Sequence, residues 1–472
     1  MTENQKWQEG LSRSLCATLA DWRFEDLPAP VVDAVKLFVL DTLGVIGAAT
    51  AAPGIPELNR RLGEWERGGR CTSLTGGWQG SPPAAAMANG AAGHALDYDD
   101  QHDPARVHAY CVVLPAALAA AEERGGVSGR EFIAAVATGV ELFSRLGLAC
   151  YNSLGKGWHP TTAFGTLAGA VAAGRVLDLD GERLLHALGL AVHQMSGSRQ
   201  VMPDGALAKR LGPGFAARSG VTSAFLAADG LTGLTRGLEG EAGMFNLHER
   251  GEVDPDRLTG GLGTDWEVLN ISMKPYPCCR CNHTTIQLAL ELRETGVGPD
   301  DLEDAEVRMG AVNQNVVGYR YEPTGSPSPV VHAQFSAAYA FARALKDGRV
   351  GLYAYLPSIL AEPDVVALAQ KVRVLDDPEV DRAELAPARV AARLADGRVI
   401  EIRRTEVKGS PAEPMSDDEA LKKFRDCMVF GLDADDAEIE RLAETALSLE
   451  VEPDASVLIA RFPSPTQARK AS

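Results

Sequence analysis

Apolar residues recur at helical spacing through most of the first 245 positions. Residues 31–49 carry Val35, Phe38, Val39, Leu43, Val45 and Ile46 on roughly one stripe. Ser128-Gly-Arg-Glu131 has the form of a capping box, and Phe132, Val136, Val140 and Phe143 follow on one face. Residues 161–177 are loaded with Ala and Gly, as are 81–96, 181–195 and 214–229. Glycine inside a helix costs about 1 kcal/mol relative to alanine, so its repeated use predicts helices that approach one another closely. The texture changes near residue 270. Residues 304–309, 372–375, 390–394 and 399–403 favour strands, and the last two flank the turn signal Asp396-Gly397. A helix is expected at 335–345, and Ser416-Asp-Asp-Glu419 opens another expected to run to about 448. The pattern predicts a mainly α protein in three stretches: helical 1–269, α+β 270–405 and helical 406–472.

Composition narrows the partners. At 472 residues, two or more domains are expected. A formal charge of −18 argues against nucleic acid and against anionic membranes, both of which demand basic surfaces. It also means that an anionic substrate would need a local basic pocket. The first 21 residues carry Glu3, Lys6, Glu9 and Arg13 and no apolar run of the signal-peptide kind. The best membrane candidate, residues 37–52, is interrupted by Asp41. The eight cysteines mostly lie singly in apolar contexts, as reduced buried thiols do. A cytoplasmic protein is expected, with a polar, frayed end from Pro463 to Ser472.

Four clusters could carry chemistry. His94-Ala-Leu-Asp97-Tyr-Asp99-Asp100-Gln101-His102-Asp103, with His108 beyond, sits where a helix runs out, although carboxylates at a helix C-terminus oppose its dipole. A catalytic role, a divalent-cation site and a solvated acidic turn all remain open there. Gly155-Lys-Gly-Trp-His159-Pro-Thr-Thr162 leads into a helix that Thr161 or Thr162 could cap, and whose N-terminus could attract a carboxylate. Lys209 and Arg210, just ahead of another helix, could hold or polarise a carboxylate or simply be solvated charges. In Lys274-Pro-Tyr-Pro-Cys278-Cys279-Arg280-Cys281-Asn-His283 the cysteine spacing does not suit zinc, which leaves Lys274, Arg280 and His283 as anion ligands. Tyr319 and Tyr321 complete the set, with buried packing as the alternative. No P-loop, dinucleotide fingerprint, nucleophile elbow or iron–sulfur spacing is present.

Taken in order, these segments resemble the MmgE/PrpD family, which includes 2-methylcitrate dehydratases, cis-aconitate decarboxylases and iminodisuccinate epimerases. The resemblance runs from Leu40-Asp-Thr-Leu-Gly44 through the His94–Asp100 and Val113–Leu118 segments and Gly157–Thr161. It continues through 209–230 to Lys274–Cys278 and His283. It implies a large all-helical domain built from both chain ends, with the inserted α+β segment as a lid and the active site between them. It also implies a homodimer and a cofactor-free enzyme acting on a small polycarboxylate. Asp97, His108, His159 and Lys209 match the family's proposed catalytic positions, with Tyr321 on the lid side. The chain departs from the family pattern at Gln101, where many members have Thr, and at His108-Ala-Tyr, where many read His-Pro-Ser. Both flank the expected pocket.

The chemistry expected is proton transfer at carbon beside a carboxylate, which needs cations aimed at the developing charge. Lys209, with Arg210, Lys274 or Arg280, is expected to supply them. His159 or His108 is expected to act as base or acid, and Asp97 to orient an imidazole. Dehydration of a 2-methylcitrate-like acid stands first, epimerisation of an imino- or amino-dicarboxylate second and decarboxylation of cis-aconitate third. A metalloenzyme and a non-catalytic polycarboxylate-binding protein are the competing classes.

Overall fold

A computed structural model describes residues 10–66, 68–323, 328–381 and 384–465. The first nine residues and those from Thr466 onward, on which part of the reading of both termini rests, lie outside the described residues. The chain is mainly α-helical and divides into two compact units. One comprises residues up to Gln200, Ala208–Ile271 and the chain from Asp417 on. The other comprises Val201–Leu207 and Ser272–Ser416.

In the larger unit, helices Ala29–Ala48, Pro82–His94, Tyr110–Arg124, Gly129–Ala149, Pro160–Val176 and Ala208–Ala228 form the core. The capping box at Ser128 forms as the sequence predicts, with Ser128 N donating to Glu131 Oε2 at 2.9 Å. Small residues let three of these helices close on each other. A Cβ on Gly214 would fall on the carbonyl oxygen of Met87, and one on Gly220 would lie 2.6 Å from Ala170 N. Gly90 meets Gly214 in the same contact. Close packing of this kind is what the Ala/Gly-rich segments predict.

The Ala208–Ala228 helix begins earlier than the sequence suggests. Lys209 and Arg210 lie in its first turn and Pro213 lies inside it, rather than all three preceding it. Pro213, the sixth residue of the helix, takes away the N–H that would bond the Lys209 carbonyl, so the first turn with Lys209 and Arg210 forgoes one helical bond. The C-terminal helix is also divided. Asp417–Leu432 ends at Asp433 with φ +57°, and Asp435 opens a capping box for Asp436–Leu447.

The two chain ends meet inside this unit. Gly44 packs on Phe424 and Gly47 on Met428, and the buried Lys423 ammonium lies 2.7 Å from Asp41 Oδ1. Lys423 also donates to the Tyr98 carbonyl at 2.9 Å, which ties the C-terminal helix to the loop after His94. Asp41 therefore serves a buried ion pair. Of the described helices, Gly129–Ala149 is long and apolar enough to cross a membrane, a segment that reading the chain for apolar runs passed over. Here it is almost wholly buried among other helices and carries the Glu141–Arg145 ion pair.

The smaller unit holds a four-stranded sheet in the order Val372–Asp376, Leu302–Met309, Ala388–Leu394, Val399–Arg404. The first pair is parallel and the others antiparallel. Val307, Val374 and Val390 face a core shared with Ile286 and Leu288 of the His283–Glu294 helix and Phe341 and Leu345 of Ala337–Asp347. The other face is charged: Arg308, Arg389 and Arg403 stand in one row, the first two paired with Glu306 and Asp377. All four strands and the Ala337 helix fall where the hydrophobic alternation puts them.

Because Gly214 has no room for a side chain, Gly214→Ala is expected to lower unfolding stability by about 1–3 kcal/mol through overpacking. Urea denaturation would read this directly, and an unchanged midpoint would show that the contact relaxes freely.

Candidate active site

The densest group of buried polar side chains lies in the larger unit, where the Pro82–His94 helix ends against the start of Ala208–Ala228. Gly90 precedes His94 by about one turn and Gly214 follows Lys209 by about one turn, so the glycine contact brings these two side chains face to face. Lys209 Nζ lies 2.9 Å from His94 Nε2 and 3.3 Å from Asp97 Oδ2. His94 Nδ1 lies 2.8 Å from Asp99 Oδ2, and both side chains are fully buried. Asp97 takes a left-handed conformation, φ +53°, a strained choice for a non-glycine residue at the turn that carries the chain from helix to loop.

Two more imidazoles stand beside this chain of contacts. His108 Nδ1 is 2.7 Å from the Asp100 carbonyl and 3.3 Å from Asp99 Oδ2, and its ring lies 4.7 Å from that of His94. A carbonyl can only accept, so His108 carries its proton on Nδ1, which leaves Nε2 for chemistry. His159, 6.5 Å from His94 ring to ring, is the N-cap residue of Pro160–Val176. Its Nδ1 is 3.0 Å from Thr162 Oγ1. Neither threonine caps that helix: Thr162 holds the imidazole, and Thr161 Oγ1 accepts from His108 N at 3.2 Å.

The acidic residues at the helix end are resolved by the next helix. The Asp100 carboxyl accepts from Ala109 N and Tyr110 N at 2.9 and 3.0 Å, at the start of Tyr110–Arg124. The Asp100 side chain thus satisfies backbone N–H groups at the start of the helix ahead of it. The imidazole partner is Asp99. Asp97, which the sequence reading set to orient an imidazole, lies 3.3 Å from the Lys209 ammonium and acts electrostatically on the His159 ring. Neither His94 nor Asp99 was given a role of its own in the sequence, although both stand in the first polar cluster and in the segment that carries the family resemblance. Their signal was the alternation of His and Asp there, which does not say which carboxylate faces which ring.

The remaining candidates sit as follows. Gln101 is buried and donates to Asp103 Oδ1 at 3.2 Å. Arg210 is buried and donates to the Pro53 carbonyl at 2.9 Å. In the smaller unit Lys274 is fully buried. Arg280 lies 3.3 Å from His283 Nδ1 and donates to the Lys408 carbonyl at 2.9 Å, which brings these two candidates together. Tyr321 is buried, donates to the Leu360 carbonyl at 2.9 Å and stacks on His332.

Burial sets the electrostatics. It lowers His94 to about 4, with Lys209 pushing the same way and Asp99 opposing, so this ring is neutral near pH 7. Burial followed by Lys209 holds His159 well below the usual imidazole value. Burial alone would raise Asp99, but the imidazoles of His94 and His108 outweigh it and keep the carboxylate ionised. Burial and the neighbouring Asp99 raise Asp100 to about 8, against the two backbone N–H bonds it accepts. His94, Asp99 and Cys111 lie close enough together to hold a metal ion. A thiol binds metal as thiolate, and burial with Asp99 and Asp100 holds Cys111 protonated, while both nitrogens of His94 already face partners.

Comparison with known proteins places both parts of the chain in one family. Residues 13–255 match the MmgE/PrpD N-terminal domain and residues 276–449 the MmgE/PrpD C-terminal domain. The chain is 29% identical to a cis-aconitate decarboxylase-like protein, oryM, of Aspergillus oryzae, over 98% of this chain and 99% of that one. It is 28% identical to a cis-aconitate decarboxylase of Aspergillus terreus, over 94% of each chain. It is also 28% identical to the human cis-aconitate decarboxylase, over 82% of this chain and 81% of that one.

The buried neutral histidine fixes a pH dependence. The folded value of His94, about 4, lies below the ordinary 6.5, so its contribution is complete above about pH 6.5 and is lost as pH falls toward 4. The loss approaches on the order of 3 kcal/mol. Asp100 has the opposite sign, because its raised value makes stability fall as pH rises from about 4 to 8. In denaturant titrations His94→Gln is expected to lose less stability than the parent between pH 7 and 4.5, and Asp100→Asn to lose less between pH 5 and 8. Parallel curves for parent and variants would contradict these assignments.

Proposed function

Because the chain belongs to the MmgE/PrpD family, we propose that it is a lyase that removes carbon dioxide from a small unsaturated tricarboxylate such as cis-aconitate. The observation that carries the reading is the buried Lys209 ammonium beside His94, with His108 and His159 at hand. The relatives named above support decarboxylation ahead of dehydration, reversing the order suggested by the sequence. Loss of water from a 2-methylcitrate-like acid remains the second reading, since it makes the same demand on a cation and a proton-transferring imidazole.

In decarboxylation the electron pair of the breaking C–C bond moves through the alkene to the carbon beside another carboxylate, and that carbon then takes a proton. The charge that develops on this second carboxylate needs a cation aimed at its oxygens in a water-poor site. Lys209, with Arg210 next to it in the chain, is proposed for that role. His108, whose Nε2 is left for chemistry, or His159, whose ring is set by Thr162, is proposed to deliver the proton. Asp97 shares the ammonium and limits where it can swing. Gln101, Lys274, Arg280 and His283 are proposed to bind carboxylate, and Tyr321 to assist proton transfer. We further propose a cytoplasmic homodimer that needs no cofactor.

Incubation with cis-aconitate, 2-methylcitrate and iminodisuccinate in D₂O, followed by NMR, separates the possibilities. Carbon dioxide loss from cis-aconitate with one deuterium gained is expected. Water loss from the hydroxy acid, or exchange with no loss of mass, would replace this reading with dehydration or epimerisation. Lys209→Ala, His108→Gln and His159→Gln are each expected to lower kcat/KM by about 100-fold or more. Full activity in all three would overturn the site.

A further inference from the structure

His94 touches Lys209, and Asp99 touches His94, yet the proposed reaction uses neither directly. Their arrangement leaves one consistent placement of protons. The ammonium can only donate, so the His94 Nε2 that faces it at 2.9 Å must offer a lone pair. The proton of the neutral ring is then on Nδ1, where Asp99 Oδ2 receives it at 2.8 Å. With the tautomer reversed, an N–H would point at the ammonium and a lone pair at a carboxylate, and both contacts would be repulsive.

We propose that His94 and Asp99 are positioning residues: Asp99 fixes the His94 ring with its proton on Nδ1, and the Nε2 lone pair holds Lys209 in place without cancelling its charge. The inference rests on the functional reading above and adds the reason why an imidazole, and not a carboxylate, faces the ammonium. Lys209 already has Asp97 at 3.3 Å. A second carboxylate in direct contact would cancel more of the ammonium's charge and add to the repulsion of a tricarboxylate, whereas an apolar side chain would remove the acceptor that Nε2 provides. A neutral imidazole avoids both costs. The arrangement is closed to solvent, with His94 1% and Asp99 0% exposed. The same Asp99 oxygen lies 3.3 Å from His108 Nδ1, so one carboxylate orients two rings.

The test compares side chains that reach different atoms. A glutamine at 94 can bring its amide oxygen to the place of Nε2, whereas an asparagine reaches only as far as Nδ1. For His94→Gln, kcat/KM and the calorimetric affinity for tricarballylate, an unreactive tricarboxylate, are expected within roughly threefold of the parent. His94→Asn is expected to lose about 10- to 100-fold in both. Asp99→Asn, which loosens both rings, is expected to lose at least as much. If folded His94→Asn equals or exceeds folded His94→Gln, the side chain only fills space or satisfies Asp99, and the proposal fails. The ¹⁵N shifts of histidine-labelled parent protein decide the same point even if a variant does not fold. A protonated Nδ1 with an unprotonated Nε2 at His94 is expected, and the reverse overturns the proposal. Should the parent neither bind nor turn over any di- or tricarboxylate, the functional reading falls while the ¹⁵N shifts still judge the placement of Lys209.

Discussion

The contact of three glycine-bearing helices governs the larger unit. Pro82–His94, Ala208–Ala228 and Pro160–Val176 approach so closely that side chains at Gly214 and Gly220 would collide with backbone atoms. Interiors are packed like crystals, so this distance is not adjustable, and a shift of a few tenths of an ångström would have to be absorbed by neighbouring helices. Everything polar in the site hangs from the ends of these helices. His94 closes the first, Lys209 lies in the first turn of the second and His159 immediately precedes the third. The close approach is what allows an ammonium to donate to an imidazole at 2.9 Å.

Burial then turns proximity into a defined charge state. Asp99 ionised, His94 neutral and Asp100 held up to about 8 form a graded set within seven residues of chain. Desolvation alone would neutralise all of them, and the specific partners of each decide which keeps its charge. Asp99 stays ionised because two imidazoles face it. Asp100, with only backbone N–H groups and a like charge nearby, does not. The chain's overall charge of −18 thus says little about the local field where an anion would sit. The C-terminal helix takes part through Lys423, which binds both Asp41 and the Tyr98 carbonyl and so anchors the loop bearing Asp97 and Asp99 from the far end of the sequence.

Much of this was legible in the order of residues. Helices and strands followed apolar periodicity and capping, because backbone preference and one-sided burial act over a few residues. The four polar clusters could be located because histidines, lysines and carboxylates stand out against apolar surroundings. The errors share a cause. The start of the Lys209 helix, the break at Asp433 and the partner of each carboxylate depend on groups distant in sequence, and local rules do not see them. Asp100 is the clearest case: it reads as misplaced at the end of one helix and proves to serve the beginning of the next.

By itself the sequence determined the mainly α class, the position of the sheet, the small-residue packing and the segments in which titratable side chains gather. Each of these follows from short-range preference or from composition. Tertiary structure alone decided that Asp99 meets the rings of His94 and His108, that His94 receives the Lys209 ammonium, and which nitrogen of His94 and His108 bears the proton. Hydrogen-bond direction depends on positions known to tenths of an ångström between residues up to 115 apart in the chain, and no spacing rule carries that information.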